Sequence, residues 1–420
     1  MKISYFRWGK MSRRQKMVLS WWADNSKYKD YDGIIADGAI RSGKTVSMAF
    51  SFVLWAMTTY ERENFGMCGK TIASFRRNVL GTLKRQLKAR GYAVTEKRSE
   101  NLLVVSKGNR ANLFYIFGGK DESSQDLIQG ITLAGVFFDE VALMPESFVN
   151  QATARCSVAG SKYWFNCNPE GPQHWFYKNW ICKCRSRRLL YLHFTMEDNL
   201  TLSERIKERY RNQYVGVFYN RFIQGLWVVA EGLIYSMFGD SCMVEDIPAR
   251  GDYFISCDYG THNPFSAGLW CVTDKQAVRI KEFYYDGRNS QKQKTDEEYY
   301  EDIDRLAGEY PVQSIIVDPS AASFIETIRR KGRFSVRKAN NEVKDGIITT
   351  ARMLKNGKIK IHTGCKDAIR EFGLYRWDEK AGEDRPIKEN DHAMDDIRYM
   401  AQTILRNRLK DQEKPGLYAL

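Results

Sequence analysis

Residues 33–45 read GIIADGAIRSGKT, and this stretch decides the fold of the first half of the chain. A short apolar run leads into the spacing Gly-x-x-x-x-Gly-Lys-Thr, and an apolar segment long enough for a buried helix follows at residues 46–57. A strand, a glycine-rich loop and a helix in this order are typical of the phosphate-binding loop of a nucleotide triphosphatase. The competing interpretation, a glycine turn beside a surface lysine, is disfavoured by the strand before the turn and the helix after it.

The fixed positions of this loop each have a chemical task. Gly38 and Gly43 let the backbone turn its N–H groups towards the phosphates, Lys44 reaches the β and γ oxygens, and Thr45 binds Mg²⁺. The positive N-terminal end of the following helix also faces the anion. The sequence therefore predicts a nucleotide site formed by Gly38, Arg41, Ser42, Gly43, Lys44 and Thr45.

The composition indicates a polyanionic partner. The 420 residues carry a formal net charge of +14. A generally basic, soluble surface is the alternative, but a nucleic-acid track is favoured because the chain also carries nucleotide chemistry. The nine cysteines lack zinc-finger spacing, so we expect reduced structural thiols in a cytoplasmic protein. No stretch resembles a signal peptide or a membrane span, and we expect no membrane association.

A second strand supplies acids that the phosphate loop lacks. The apolar run at residues 133–138 ends in Asp139 and Glu140. Asp139 is predicted to hold the magnesium shell, and Glu140 to orient and deprotonate the attacking water. Acids at strand ends are common structural residues, but downstream of a phosphate loop the pair is interpreted as catalytic.

The next predicted strand ends in Asn168 and Pro169. In a parallel sheet its carboxyl end lies beside the nucleotide, where an amide senses the γ-phosphate and reports its loss. Asn168 is favoured over Asn166 because the proline marks the end of the strand. The structural alternative is an asparagine that only forms a turn before proline.

Two further segments carry weaker indications of nucleotide contact. Gln15 lies on an aromatic-rich helix upstream of the loop, and its amide can both donate to and accept from the polar edge of adenine, although an ordinary surface residue is the alternative. A basic helix after residues 65–70 is either a solvated face or the source of an arginine near the nucleotide. Its basic residues are Arg76, Arg77, Lys84, Arg85, Lys88 and Arg90.

The second half of the chain predicts a second site. Asp258 and Asp318 each end an apolar strand, and His392, Asp395 and Asp396 share one face of a helix by the i, i+3, i+4 rule. Each acid taken singly is more often a cap or a turn residue. Together they suit a two-metal phosphodiesterase, because two divalent ions about 4 Å apart need shared carboxylates. His392 is a metal ligand or a helix-start residue.

The order of these motifs resembles that of the large terminase subunits of tailed double-stranded DNA phages, the motors that package the genome into a procapsid. The resemblance extends from Gln15 to Tyr399. It implies an α/β fold with a P-loop NTPase domain of mainly parallel sheet at residues 1–230. Gly232, Gly239 and Pro248 indicate a linker at residues 231–250, and the resemblance implies an RNase H-like α/β nuclease domain after it, at residues 251–420.

The resemblance also assigns roles residue by residue. Gln15 corresponds to the adenine-reading glutamine, Asp139 and Glu140 to the magnesium-binding acid and catalytic glutamate, Asn168 with Pro169 to the coupling motif, Asp258, Asp318 and Asp395 to the acidic triad, and His392 to a histidine of some members. Two departures leave alternatives open. The family often has alanine after the third acid, whereas this chain has Asp396, so either aspartate fits. The arginine near the γ-phosphate is not identified, and a neighbouring subunit is one possible source.

These features predict an ATP-driven translocase of double-stranded DNA with a fused endonuclease that uses Mg²⁺ or Mn²⁺. The resemblance adds a portal protein, a small terminase subunit, a homo-oligomeric ring and the host cytoplasm as its setting. The alternatives are an ATP-dependent helicase or repair translocase whose C-terminal acids are structural, and a DNA-binding assembly protein that uses nucleotide as a switch. Glu140 disfavours the switch, and an RNase H-like recombinase leaves the phosphate loop unexplained. Backbone contacts should dominate DNA binding, so the affinity should fall steeply with salt.

Overall fold

A computed structural model describes residues 9–260, 263–286, 293–379, 381 and 384–409. The chain divides into two compact units, of which the first runs to Arg211 and takes in Val217–Val229. The second comprises Asn212–Gly216 and the chain from Ala230 onward. Within the described ranges no helix has the length and apolarity needed to cross a membrane.

The first unit is built on a mainly parallel sheet, whose described strands lie in the order β3-β4-β5-β2-β6-β7-β1-β8. The strands are β1 Gly33–Gly38, β2 Asn64–Gly69, β3 Ala93–Lys97, β4 Leu102–Lys107, β5 Arg110–Gly118, β6 Gly135–Asp139, β7 Lys162–Asn166 and β8 Leu189–Phe194. From β5 to β8 all neighbours are parallel, and only β3 and β4 add an antiparallel edge.

Helices cover this sheet. The α-helices up to residue 222 are α1 Arg13–Ser20, α2 Lys44–Thr59, α3 Ile72–Phe75, α4 Gly81–Ala89, α5 Glu146–Ala154, α6 Glu204–Gln213 and α7 Gly216–Phe222. Two π-helical segments, Arg76–Leu80 and Tyr177–Ile181, and 3₁₀ turns at Arg98–Glu100, Glu122–Ile128, Val141–Leu143 and Met196–Asp198 complete the set in the described residues. The α3, π and α4 segments together form the predicted basic helix.

An aromatic core fixes α2 on the sheet. Trp55 and Phe52 of α2 lie 4.8 Å and 5.2 Å, between ring centroids, from Trp164 of β7. Gly135 of β6 allows this close approach, because a Cβ there would lie 2.6 Å from the Trp55 ring. All six residues of β1 are buried, as expected of a strand covered on both faces. The phosphate loop is therefore held between a buried strand and a buried helix.

The second unit has a mixed sheet in the order β14-β13-β10-β11-β12-β15-β9 among the residues described. The strands are β9 Met243–Val244, β10 Asp252–Asp258, β11 Phe265–Val272, β12 Ala277–Tyr285, β13 Val312–Val317, β14 Val336–Lys338 and β15 Ile359–His362. Strands β10, β11 and β12 are antiparallel neighbours, and β13 pairs in parallel with β10. The segment 231–250, predicted as a linker, contributes β9 to the edge of this sheet.

The helices of this unit are α8 Asp296–Ala307, α9 Ala322–Lys331, α10 Val343–Lys355, α11 Lys366–Phe372, α12 His392–Met400 and α13 Arg406–Arg408. A 3₁₀ turn at Asp240–Cys242 precedes β9, and the π-helical segment Ala401–Leu405 joins α12 to α13. Helix α12 packs against the central strands of the sheet and has buried side chains from Ala393 to Met400. It therefore positions whatever side chains it carries to a fixed place on the sheet.

One buried carboxylate ties α12 to three strands. Asp396 is fully buried and forms a two-pronged ion pair with the equally buried Arg279 of β12, with one N–O distance of 3.1 Å. It also accepts hydrogen bonds from Ser256 of β10 at 2.9 Å and Ser266 of β11 at 2.5 Å. Trp270 donates its indole N–H to the Ser256 hydroxyl at 2.8 Å and completes the network.

We predict that Asp396→Ala destabilises the second unit strongly, because it leaves the Arg279 guanidinium buried without its counter-ion. The cost of breaking a buried pair is about 3 to 5 kcal/mol. The measurement is the urea midpoint of unfolding of the full chain. The control is Asp304→Ala, which breaks an exposed pair with Arg333 at 2.5 Å and should cost under about 1 kcal/mol. Equal effects of the two changes would contradict the structural role of Asp396.

Candidate functional sites

The phosphate loop joins β1 to α2 through left-handed backbone positions. Gly38 has φ 117° and Gly43 has φ 85°, a region in which glycine is unstrained. Arg41, with φ 57°, adopts the same region despite its side chain. Gly43 is also the residue before α2, and no side chain caps that helix. The first N–H groups of α2 are therefore directed at the space above the loop.

Lys44 lies at the centre of this loop and is only 5% exposed. Its ammonium group donates to the carbonyl oxygens of Gly38 at 2.9 Å and Ala39 at 2.7 Å, and to Asn168 Oδ1 at 3.1 Å. Burial lowers the pKa of Lys44 to about 8, against the attraction of nearby carboxylates. These partners are neutral oxygens, so an anion bound beside the ammonium group would stabilise its positive charge.

Asp139 and Thr45 contact each other directly. Thr45 donates its hydroxyl to Asp139 Oδ1 at 3.0 Å. Asn166 contacts both groups, since its amide nitrogen lies 2.8 Å from Thr45 Oγ1 and 2.5 Å from Asp139 Oδ1. Burial raises the pKa of Asp139 to about 7, helped by the neighbouring charge of Glu140 and opposed by these hydrogen bonds. The predicted magnesium oxygens are thus adjacent, and Asn166, which the sequence pattern ranked below Asn168, touches both.

Glu140 has a strained backbone. Its φ of 60° and ψ of 45° place it in the left-handed region, which non-glycine residues adopt at a cost. Burial raises the pKa of its carboxyl group, while Lys70 and Lys44 act in the opposite direction. This left-handed conformation ends β6 directly after Asp139.

Gln15 lies beside the loop. Its Oε1 accepts from the Ser12 N–H at 3.0 Å in a capping box at the start of α1. Its Nε2 is so close to Gly43 that a Cβ added there would lie 2.5 Å away. The side chain is therefore both a helix cap and a neighbour of the phosphate loop, and its adenine-reading role stays a prediction.

The arginines named as sources for the nucleotide site differ in their surroundings. Arg76 forms an ion pair with Glu96 at 3.2 Å and donates to Asn101 Oδ1 at 3.0 Å, which holds it against the antiparallel edge of the sheet. Arg77 is exposed. Arg41 lies over the ring of Tyr210, 5.2 Å from its centroid. Of these three side chains, Arg76 is therefore the one held in place by an ion pair within its own unit.

Asp37 was not identified from the sequence, although it sits inside the deciding stretch. It is fully buried and accepts hydrogen bonds from the Tyr191 hydroxyl at 3.0 Å and the Trp227 indole N–H at 2.7 Å. His193 Nδ1 lies 3.1 Å from its other oxygen. These partners come from distant parts of the chain, so no local pattern in the sequence indicates the network. It anchors the end of β1 just before the loop begins.

In the second unit the predicted acids line one cavity of about 1050 Å³. Asp258 ends β10 and Asp318 follows β13, and these strands are parallel neighbours whose carboxyl ends meet at one edge. Helix α12 adds His392 and Asp395 to the same cavity. The structure therefore places Asp258, Asp318, His392 and Asp395 around one cavity and leaves Asp396 outside it.

The acids of this cavity contact fixed partners. The Tyr399 hydroxyl lies 3.3 Å from Asp258 Oδ1 and 3.0 Å from Asp318 Oδ2, and its single proton is shared between these two acceptors. His392 Nδ1 lies 2.9 Å from Asp258 Oδ2. Asp395 forms an ion pair with the buried Arg398 at 2.9 Å. Tyr399 also lines the cavity. The sequence pattern did not indicate it as a site residue.

The carboxylates have different electrostatic surroundings. Burial raises the pKa of Asp258 to about 6, although the His392 contact acts against it. Burial also acts upwards on Asp318, but hydrogen bonds from Ser320 and Tyr399 outweigh it, and its pKa lies below the usual value. The pKa of His392 is raised: burial lowers it, and the contact with Asp258 outweighs that effect. The contact between the two groups acts in opposite directions on them, since it raises the pKa of His392 and lowers that of Asp258 against the larger effect of burial.

The two candidates for the third acid face different surroundings. Asp395 lines the cavity, whereas Asp396 is fully buried in its ion pair with Arg279. Asp391 also lines the cavity and was not named as a site residue. Burial raises its pKa, as does the charge of Asp395. Geometry thus favours Asp395 over Asp396, with Asp391 as an additional acid at the helix start.

The carboxylates of the cavity suit a hard divalent cation, because such cations prefer oxygen ligands. In the part of the chain that the structure describes, however, no three His, Cys, Asp or Glu side chains form a group that could hold a metal ion. The carboxylates are instead engaged with Tyr399, His392 and Arg398. The residue types fit a metal, and binding it requires that some of these contacts be exchanged.

Comparison with known proteins matches two families over most of the chain. Residues 35–238 match the family described as "Terminase large subunit, T4likevirus-type, N-terminal". Residues 255–402 match the family described as "Terminase RNaseH-like domain". Among curated proteins, the "Terminase, large subunit" of Escherichia phage T5 is 23% identical over 302 residues, which are 65% of this chain and 66% of that protein.

Solved structures agree with these families. The large terminase of a thermophilic bacteriophage is 55% identical, with a TM-score of 0.86, over 94% of this chain and 100% of that chain. The same terminase in complex with ADP is 54% identical, with a TM-score of 0.82 and the same coverage. The predicted fold class is confirmed: an α/β NTPase domain precedes an RNase H-like domain.

We predict that the affinity for ADP falls above pH 8. Above this pH the free protein loses a proton from the Lys44 ammonium group, whose pKa is about 8. In the complex, the negative phosphates of ADP keep Lys44 protonated. Binding therefore takes up a proton, and Kd should rise by up to about tenfold per pH unit. The measurement is calorimetric titration with ADP in EDTA from pH 7 to 9.5.

The control for this prediction is Lys44→Met, which should bind weakly at every pH in the series. A wild-type Kd that stays constant across the range would show that Lys44 does not contact the phosphates.

Proposed function

This chain belongs to the large terminase subunits of phages, and from that premise we propose that it is an ATP-driven motor that moves double-stranded DNA into a procapsid. We further propose that a metal-dependent endonuclease in the second unit cuts the DNA concatemer. The observation that carries the proposal is the convergence of Lys44, Thr45 and Asp139 at the carboxyl ends of parallel strands. The thermophilic bacteriophage terminase in complex with ADP supports nucleotide binding in such a protein.

For the ATPase site, the proposed roles follow from the contacts. Lys44 exchanges its loop carbonyl partners for the β and γ oxygens of ATP, while the first N–H groups of α2 bind the same phosphates. Thr45 and Asp139 are the residues that would hold Mg²⁺, which neutralises phosphate charge when bound. Glu140 orients the attacking water and accepts its proton. Burial raises the pKa of its carboxyl group, which makes it a stronger proton acceptor.

Asn168 is proposed to couple hydrolysis to movement. Its Oδ1 contacts the Lys44 ammonium group, so a change at the γ-phosphate alters its surroundings directly. Two residues later Glu170 lies 3.7 Å from the fully buried Arg221 of α7. Arg221 in turn donates to the carbonyl of Val228, just before the chain passes from the first unit into the second at Ala230. This series of contacts supports a link from the nucleotide to the chain that leaves the first unit.

For the nuclease site, Asp258, Asp318 and Asp395 are the proposed carboxylates, with His392 as a further ligand or as a partner that orients Asp258. They would hold Mg²⁺ or Mn²⁺, which activates water and stabilises the leaving oxygen when bound. Tyr399 holds Asp258 and Asp318 together through one hydroxyl. The common cavity is the support for this assignment.

The remaining parts of the proposal rest on the family. We assign residues 1–230 to the ATPase domain, 231–250 to a linker and 251–420 to the nuclease domain. The proposed partners are double-stranded DNA, a portal protein, a small terminase subunit and further copies of this chain in a ring. The proposed setting is the host cytoplasm. Gln15 is proposed to read adenine, with Arg41, Ser42, Gly38 and Gly43 around the phosphates.

A helicase or repair translocase without nuclease activity is the second candidate. It is favoured by one observation, namely that the described acids form no ready-made metal cluster. The two candidates differ in a single property, metal-dependent cleavage of DNA, and share the ATPase.

We predict that Glu140→Gln lowers the ATPase kcat by about 10² to 10⁴, because it removes the proton acceptor while keeping the shape of the side chain. ATP binding should be retained. Phosphate release and calorimetric binding measure the two properties separately. The matched control, Glu208→Gln on an exposed face of α6, should leave both unchanged. Undiminished turnover in Glu140→Gln would rule out its role as the base.

We predict that the full chain cuts plasmid DNA in Mg²⁺ or Mn²⁺ but not in EDTA. Asp258→Asn and Asp395→Asn should each abolish cutting, because either change removes a carboxylate of the cavity. Asp304→Asn, at an exposed ion pair outside the cavity, is the matched control and should cut normally. Gel analysis of nicked and linear products measures the effect. Absence of cutting by the wild type in either metal would favour the helicase or translocase instead.

A further inference from the structure

Asn166 occupies a special position at the end of β7. It is only 2% exposed, and it pairs in register with Asp139 of β6 on one side and Ala36 of β1 on the other. The two neighbouring strands carry the proposed magnesium acid and the phosphate loop. The backbone pairing therefore fixes the asparagine between the two elements that must meet around a metal.

The amide nitrogen of Asn166 holds two proposed magnesium oxygens together. Its distances are 2.8 Å to Thr45 Oγ1 and 2.5 Å to Asp139 Oδ1, while those two oxygens lie 3.0 Å apart. The three groups form a closed triangle. Two oxygens that are to serve one cation are thereby kept as neighbours, because the amide donates to both while Thr45 donates to Asp139.

The carbonyl oxygen of the same amide has no hydrogen-bond partner among the described residues. Asn166 Oδ1 is buried, and within the described residues it finds no hydrogen-bond donor. Buried acceptors are nearly always satisfied, so one beside two proposed metal oxygens indicates a donor that belongs to the loaded site. A water ligand of the cation has the right chemistry, since coordination to a cation strengthens a water as a donor.

We propose that Asn166 is a positioning residue for the magnesium shell of the ATPase site, a role that rests on the proposed function. Its Nδ2 keeps Thr45 and Asp139 at the separation that one cation needs, and its Oδ1 accepts from a water ligand. Asn168, two residues later, contacts Lys44 instead. The two asparagines therefore have different roles: Asn166 orients the proposed metal ligands, and Asn168 contacts the lysine that binds phosphate.

The test uses the full chain with ADP and Mn²⁺, which substitutes for Mg²⁺ and is visible by electron paramagnetic resonance. Asn166→Ala should raise the Kd of Mn²⁺ in the presence of ADP by about 10 to 100-fold, the usual effect of losing a partner that orients metal ligands. The Kd of ADP in EDTA should change by less than about twofold, because the phosphate contacts do not involve Asn166.

Two further variants guard the interpretation. Asn166→Ser keeps a small polar side chain but cannot span both Thr45 and Asp139, so it should weaken Mn²⁺ binding in the same direction as Asn166→Ala and provides a second protein if the alanine variant does not fold. Asn150→Ala, on an exposed position of α5, is the matched control and should leave the Mn²⁺ affinity within about twofold of the wild type. If it weakens Mn²⁺ binding as much as Asn166→Ala does, the effect is a general loosening of the unit and the proposal is overturned.

The two levels of the proposal fail in different ways. A wild-type chain that binds no ADP, with or without Mn²⁺, overturns the ATPase function and the inference together. A wild-type chain that binds both, with Asn166 variants that bind Mn²⁺ as tightly, overturns the positioning role alone.

Discussion

A carboxylate removed from water must be given hydrogen-bond donors or a counter-ion, and this constraint shapes both units. Asp139 obtains its donors from Thr45 and Asn166. Asp37 obtains them from an indole and a phenol, and Asp396 from a guanidinium and two hydroxyls. Each of these acids sits where a strand end or a helix must be fixed. The donors come from neighbouring elements, so satisfying the acid also sets the relative position of those elements.

The parallel sheet explains why these acids coincide with the proposed sites. Neighbouring parallel strands end at the same edge, and side chains just past their ends share one space. In the first unit β1, β6 and β7 bring the phosphate loop, Asp139 and Asn166 to that edge. In the second, β10 and β13 do the same for Asp258 and Asp318. The same topological rule therefore builds two sites of different chemistry.

The local sequence was sufficient for the elements but not for their partners. The strand, loop and helix around Lys44 follow from glycine spacing and an apolar run, and the acids at strand ends follow from their position after such runs. The Asp37 network did not follow, because its partners lie more than a hundred residues away in the chain. The choice of Asn168 over Asn166 rested on the proline, a local signal. Register across three strands, which is invisible in one sequence, gives Asn166 its contacts.

The adjacent residues Asp395 and Asp396 face different surroundings because they lie next to each other on a helix. Successive residues on a helix point about 100° apart, so one carboxylate can face a cavity while the next faces the core. The sequence rule that placed both on one face with His392 was therefore too coarse to choose between them. The choice depends on what lies opposite, and Arg279, on a strand more than a hundred residues earlier, supplies a buried counter-ion for Asp396. The structural acid fixes α12, and because α12 is fixed, Asp395 is held against the cavity that Asp258 and Asp318 share.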